Sequence, residues 1–221
     1  QCGNANFNIK GIDANEFPPM PVPNLADGVE INVADFKEMI RQVSFAASTD
    51  EARPVLQGVL MEINENHLSL AATDGFRISM RIADISHSVS HPVKVIIPAR
   101  SLSELARIAE NGDEAVTMVI PPDRGQAIFH LKDAELVTQL IEGVFPDYRA
   151  IIPPSFKTRM VISTAEFLKA CRQAEIIARE GNYVLRINMK PQEGGPGTVE
   201  FSTQSEEMGS AEVLADANIE G

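Results

Sequence analysis

The sequence predicts an α+β fold in which antiparallel sheet dominates. Three observations carry that prediction. Between Leu56 and Ile141, short apolar–polar alternations recur about every 8–12 residues, the rhythm of antiparallel strands rather than of strand–helix–strand crossovers. The breaks between them carry turn residues: Asn64-Glu65-Asn66, Asp74-Gly75, Asp123-Arg124-Gly125 and Lys132-Asp133. Three further segments have helical spacing, each about three turns long with one apolar stripe able to cover a sheet face.

In chain order, the first helix is expected around Phe36, Met39, Ile40 and Val43, which share one face. Asn32 followed by Asp35 gives it a capping-box start. Leu68, Leu70 and Ala72 then alternate as a half-buried strand. Phe76, Ile78, Met80 and Ile82 alternate with Arg77, Ser79 and Arg81, which predicts a second strand with the apolar row buried. Leu102, Leu105, Ile108 and Ala109 form the next helical stripe, with Asn111-Gly112 as its stop. Phe167, Ala170, Cys171 and Ala174 form the third, opened by Ser163 and Glu166 as a capping box.

The chain repeats itself. INVADFKEMIRQ, from Ile31, and ISTAEFLKACRQ, from Ile162, share Ile, Phe and Arg-Gln at equal offsets, and their cap pairs fall in step. Val55-Leu56 matches Val184-Leu185, and Phe17-Pro18 matches Phe145-Pro146, each at nearly the same separation. The two Phe-Pro pairs lead into proline-containing connectors, PPMPVP and PDYRAIIPP. Three units are therefore expected: the tail of one over 1–23, a complete one over 24–153, and the front of another over 154–221. With outer units cut short and no initiator methionine, the 221 residues are expected to be part of a longer chain.

Composition narrows the function. Hydrophobic residues make up 44% and charged residues 23%, ordinary values for a globular protein. No apolar run approaches the ~20 residues that a membrane-spanning helix requires. The two cysteines, Cys2 and Cys171, cannot build a disulfide framework, which suits a reducing cytoplasm. With 19 basic and 31 acidic residues, an overall basic nucleic-acid surface is excluded, though not a basic single face.

Catalytic and metal chemistry find no support. His67, His87, His91 and His130 are dispersed, and the one close pair, His87 and His91, sits in a loop-like stretch before Pro92. No Gly-x-Ser-x-Gly elbow occurs, and Gly194-Gly195-Pro196-Gly197 lacks the Lys-Ser/Thr end of a phosphate loop. No catalytic residue, metal site or cofactor is expected. What remains is the polar side of the helices: Lys37 and Arg41; Arg100, Ser103 and Arg107; Lys169 and Arg172. On their own these fit a solvated face of mixed charge, since Glu38, Glu104 and Glu175 lie close by, or a phosphate-tracking surface if the repeat aligns the helices. Likewise AATDGFRIS, residues 71–79, reads as a hairpin turn or as one lip of an apolar pocket. A small-molecule-binding or hydrolytic α+β protein made by duplication stays open at this point.

The repeat, ATDGFR at 72–77 and GVFPDYR at 143–149 together resemble the bacterial DNA polymerase III beta subunit, the sliding-clamp family, over essentially the whole chain. The resemblance implies repeated domains of antiparallel sheets backing two helices, joined in a homodimeric ring that encircles duplex DNA. The expected activity is non-enzymatic: a processivity factor contacting DNA independently of sequence. Lys37, Arg41, Arg100, Arg107, Lys169 and Arg172 are then the DNA-facing candidates. It also implies a groove for short linear motifs of the replicative polymerase, clamp loader and repair proteins. Its walls would include Leu56, Thr73, Gly75, Phe76, Arg77, Ile78, Pro146 and Ile151. Ala150 stands where the family often has a second arginine after Arg149, and Pro54-Val55 where some relatives carry aromatic residues near DNA. The family's groove-completing C-terminal strand lies outside these residues.

Overall fold

The strands form three four-stranded antiparallel sheets, two of them from the alternation read between Leu56 and Ile141, in the computed structural model, which describes residues 3–4, 6–16, 22, 24–86, 89, 91–110, 115–122, 124–180, 183–192 and 195–221. The chain divides into two compact units, Gln1–Tyr148 and Arg149–Gly221. Phe17-Pro18, Cys2, His87, Asn111-Gly112, Asp123 and Gly194 lie outside the described residues.

The first unit runs twice through one pattern: strand, helix, three-stranded meander. The first pass is β1 (Val29–Asn32), α1 (Val33–Val43), β2 (Gly58–Asn64), β3 (His67–Thr73) and β4 (Ile78–Asp84). The second is β5 (Val93–Pro98), α2 (Ala99–Ile108), β6 (Ala115–Val119), β7 (Gln126–His130) and β8 (Glu135–Gln139). The sheets run β4-β3-β2-β5 and β1-β6-β7-β8. Each pass thus lends the strand before its helix to the other's meander, so neither half completes its own sheet alone.

Between sheets and helices lies one core. Phe36, Met39, Ile40 and Val43 of α1 are all buried, as are Leu102 and Leu105 of α2 and Leu68, Leu70 and Ala72 of β3. Phe36 lies 6.2 Å, ring to ring, from Phe129 of β7. Burial of one such side chain is worth about 1.5–3 kcal/mol. The helices run antiparallel side by side: Lys37, early in α1, reaches Ala109 at the end of α2, and Ser44, just past α1, meets Ser103 in the first half of α2. Asn32 caps α1, its carboxamide oxygen accepting from the Asp35 N–H at 3.1 Å.

A second, smaller apolar cluster lies on the other face of the β4-β3-β2-β5 sheet. Leu60, Ala71 and Ile96, which the pleat turns away from the helices, are covered by Phe145 and Tyr148, with Val55 and Ile141 packed alongside. The sheet is therefore apolar on both faces, and the segment 141–148 is the lid of its outer one.

This cluster includes no side chain of β4, and here an expectation fails. Ile78, Met80 and Ile82 are exposed at 37%, 37% and 54%, and Phe76, in the preceding turn, at 95%. The alternation is real, but β4 is an edge strand and its apolar row faces outward, opposite Thr73, Ala71 and Ser69 of β3. The other row, with Ser79 and Arg81, is the one that faces α1: the Ser79 hydroxyl donates to the Gln42 carbonyl at 2.6 Å, and Arg81 acts electrostatically on Glu38.

The second unit holds one such block: β9 (Arg159–Val161), α3 (Thr164–Ala178), β10 (Arg186–Lys190), β11 (Gly197–Ser205) and β12 (Gly209–Glu220), in the order β10-β11-β12-β9. The cap residues Asn32 and Ser163 share backbone angles, φ −59° and ψ 127°. The expected Ser163–Glu166 capping box does not form, because the Ser163 side chain makes no cap bond. Phe167 is only half-buried and meets Phe201 of β11 edge-on at 5.2 Å, where Phe36 uses a strand of the second meander.

Candidate functional site

Together the three helices carry six basic and five acidic residues, leaving the rest of the chain with 13 basic and 26 acidic ones. The six are Lys37, Arg41, Arg100, Arg107, Lys169 and Arg172. The helices thus carry a net charge of +1 and the rest of the chain −13.

The six are not equivalent. Arg41 pairs with Glu38 at 2.6 Å and Arg107 with Glu104 at 2.5 Å, each pair three residues apart on an exposed helix face. These bonds hold both carboxyls below the ordinary glutamate range and both guanidinium groups above theirs, hydrogen bonding being the largest cause. Arg100, Lys169 and Arg172 are exposed and form no ion pair among the described residues. Lys37 departs from the rest: it is half-buried, and its amine donates to the Ala109 carbonyl at 2.7 Å, fastening the start of α1 to the end of α2. It sits in the seam between the helices, not on their outer surface, because the antiparallel packing brings a helix C-terminus within its reach.

A polar network builds the turn joining β3 to β4. Asp74 accepts from the backbone N–H of Phe76 and of Arg77 at 2.9 and 3.0 Å, and Arg77 Nε donates to its other oxygen at 3.1 Å. These groups, the Phe76 N–H first, hold the Asp74 carboxyl below its ordinary value of 3.8. The Thr73 hydroxyl donates to the Arg77 carbonyl at 2.7 Å and accepts from the Gly75 N–H at 3.1 Å. Gly75 has φ +96°, a backbone conformation that side-chain-bearing residues rarely adopt.

Of the expected groove residues, the hairpin brings Thr73, Gly75, Phe76 and Ile78 together at one end. Leu56 lies in the 3-10 turn Pro54–Gln57, which Arg53 ties to the hairpin by donating to the Asp74 carbonyl at 3.1 Å. Pro146 is exposed between Phe145 and Tyr148, on the segment that lids the outer face. Ile151 belongs to the second unit and is 67% exposed. Arg77 does not join the apolar wall. Its side chain turns to the helix side, donating to the Phe45 carbonyl at 3.2 Å and lying 5.6 Å from the centre of the Phe45 ring.

Three features escaped sequence reasoning. Arg53 acts through a contact across 21 positions that no local pattern announces. Val55 turned out to be a packing residue of the outer cluster. A cleft of about 470 Å³ lies along the lid, between Leu60, Val95 and Ile96 on one side and 140–145 on the other. The available signal was the pair of large aromatic residues, Phe145 and Tyr148, in GVFPDYR, which pack on Leu60, Ala71 and Ile96.

Among the described residues no group of three or more His, Cys, Asp or Glu side chains is arranged to hold a metal ion. His67 lies 2.7 Å from Asp84 and His130 3.0 Å from Glu135, both as exposed cross-strand pairs. Cys171 is half-buried, and burial pushes its thiol up, away from the reactive thiolate. No helix among the described residues is long and apolar enough to cross a membrane.

Residues 30–147 match the family described as "DNA polymerase III beta subunit, central domain". The chain is 36% identical over 223 residues to the beta sliding clamp of Bacillus subtilis, covering 100% of this chain and 57% of that protein. It is 34% identical to that of Staphylococcus aureus, covering 99% and 56%. Its fold superimposes on the crystal structure of the Bacillus subtilis DNA polymerase sliding clamp with a TM-score of 0.86 and 33% identity, over 100% of this chain and 57% of that one. For the Thermotoga maritima DNA polymerase III beta subunit the TM-score is 0.82 at 25% identity, over 99% and 57%. The chain thus spans a little over half the length of the relatives it matches.

Proposed function

The chain belongs to the DNA polymerase III beta subunit family, and from that premise we propose that it works as part of a sliding clamp, a non-catalytic ring that encircles duplex DNA and tethers the replicative polymerase. In this reading residues 24–153 form the middle clamp domain, 1–23 the end of the first and 154–221 the front of the third. Two copies of the full-length protein close the ring in the cytoplasm. Helix layers face the DNA and sheets face outward.

What supports the reading best is the distribution of charge: cations gathered on helices within a strongly acidic chain. Fields are screened beyond about 8 Å at physiological salt, so a duplex beside the helices responds to them and not to acidic sheets farther away. The two Arg–Glu pairs suit the task. An arginine that must leave a neighbouring carboxylate to meet a phosphate makes a weak, exchangeable contact, and a clamp held on DNA by topology needs nothing stronger. Arg41, Arg100, Arg107, Lys169 and Arg172 are the DNA-facing set; Lys37 is better placed as a structural tie.

Polymerase, clamp loader and repair proteins dock through short linear motifs on the outward apolar row. Ile78, Phe76, Thr73 and Leu56 form one wall and Pro146 the other. A few buried anchors of this kind give affinities of roughly micromolar order.

The test is polymerase processivity on a primed circular template with full-length protein in which Arg41, Arg100 and Arg107 are replaced by alanine. Shorter products, shortening further as salt rises, are expected. Unchanged product length at every salt concentration refutes the DNA-facing assignment.

A further inference from the structure

Two loops of the first unit share one construction. Asp50 accepts from the Ala52 N–H at 3.0 Å and from Arg53 Nε at 3.0 Å. Asp74 accepts from the Phe76 N–H at 2.9 Å and from Arg77 Nε at 3.1 Å. In both an aspartate closes a turn and an arginine three residues on returns to it. Each arginine then spends a second N–H on a distant carbonyl: Arg53 on Asp74, Arg77 on Phe45. Loop 50–53 therefore holds the turn at 74–77, and that turn holds the segment just after α1.

We infer that Arg77 is a positioning residue of the peptide groove, fixing the Thr73–Ile78 turn against the end of α1 and acting on a bound segment only through the residues it places. The inference rests on the groove reading above. Its grounds are geometric. Arg77, one residue before β4, turns to the side of that strand that carries Ser79, whose hydroxyl donates to the Gln42 carbonyl of α1. The apolar row of Phe76, Ile78 and Met80 points the opposite way. Reaching a ligand on that row would cost Arg77 its bonds to Asp74 and to the Phe45 carbonyl together with its stacking on the Phe45 ring. Phe76, 95% exposed, has almost no packing to hold it, so its place depends on the backbone beneath it. Thr73 and Asp74 fix that backbone, and the Arg77 side chain ties Asp74 to the Phe45 carbonyl.

A planar guanidinium can hold Asp74 and the Phe45 carbonyl at once; an ammonium on a flexible stem cannot. This separates positioning from direct contact. The probes are two labelled hexapeptides bearing leucines at three positions, one neutral and one with an acidic tail, titrated against full-length protein by fluorescence anisotropy. Arg77→Ala is expected to weaken both peptides roughly fivefold, equally at low and high salt, as loss of a half-exposed charged hydrogen bond implies. Arg77→Lys is expected to weaken them nearly as much. Hydrogen exchange should quicken at the Phe76 and Arg77 amides and stay slow across Val59–Ile63.

Weakening of the acidic peptide alone, or full rescue by lysine, shows that Arg77 contacts the ligand and overturns the inference. Wild-type affinity in Arg77→Ala overturns it too, as does loss of protection throughout β2 in both variants, which marks a global role. Failure of the unaltered protein to bind either peptide instead removes the groove reading on which the inference stands.

Discussion

Replacing Lys37 with alanine separates a structural tie from a DNA contact. The Lys37 amine donates to the Ala109 carbonyl at 2.7 Å from a half-buried position, beside Val33, Phe36, Ile40 and Leu105. A hydrogen bond from a charged group is worth about 1.5–3 kcal/mol, and a cation at a helix C-terminus adds about 0.3–1 kcal/mol. Alanine is slightly the better helix former, which offsets a few tenths of that. The net cost is then about 2 kcal/mol. In a unit of this size that lowers the melting temperature by about 4–8 °C. Thermal unfolding followed by circular dichroism gives the number directly. Lys37→Met, which keeps most of the stem, should lose the hydrogen-bond share and spare the packing. Because the bond is partly shielded, the loss should vary little with salt, whereas duplex affinity should barely change. A shift below about 1 °C, joined to weaker DNA binding, would refute the tie and return Lys37 to the DNA-facing set.

Other expectations follow from the same geometry. Glu38→Gln with Glu104→Gln frees Arg41 and Arg107, so duplex affinity should rise and its logarithmic salt dependence should steepen by about 2, measured by anisotropy over a salt series; an unaltered slope counts against both arginines. Ile78→Asp puts a charge on the outward apolar row and should abolish binding of the leucine peptides while leaving the unfolding midpoint nearly unchanged, because Ile78 is already 37% exposed. Asp74→Asn tests the turn by its pH dependence. The carboxyl is held below 3.8 by the backbone N–H groups of Phe76 and Arg77, so it contributes stability above about pH 4 that disappears as pH falls through the lowered value. Urea unfolding should show a gap between variant and wild type that is full at neutral pH and closes in acid; a gap independent of pH would disprove the account.

How far the sequence reached is clearest strand by strand. Leu68, Leu70 and Ala72 were read as a buried row and are one, because β3 is central and both its neighbours are in place. The same reasoning applied to Ile78, Met80 and Ile82 identified the strand and mistook the fate of its apolar row. Alternation reports that the two faces of a strand differ; it cannot report whether anything covers one of them. The helices were legible for a similar reason. Their apolar stripes fix which side is buried, and the stripe of α1 is buried at each expected position.

The amino-acid sequence alone determined the antiparallel strands, the amphipathic helices, the repeated block and the family likeness, since each is written in periodicities and short motifs close along the chain. Only the tertiary structure decided that Lys37 lies in a helix seam, that Arg77 turns toward Phe45, and that 141–148 lids the outer sheet face. Those outcomes depend on partners 72, 32 or more positions away, and a side chain with several possible partners is committed by whichever one the packing brings within hydrogen-bond reach.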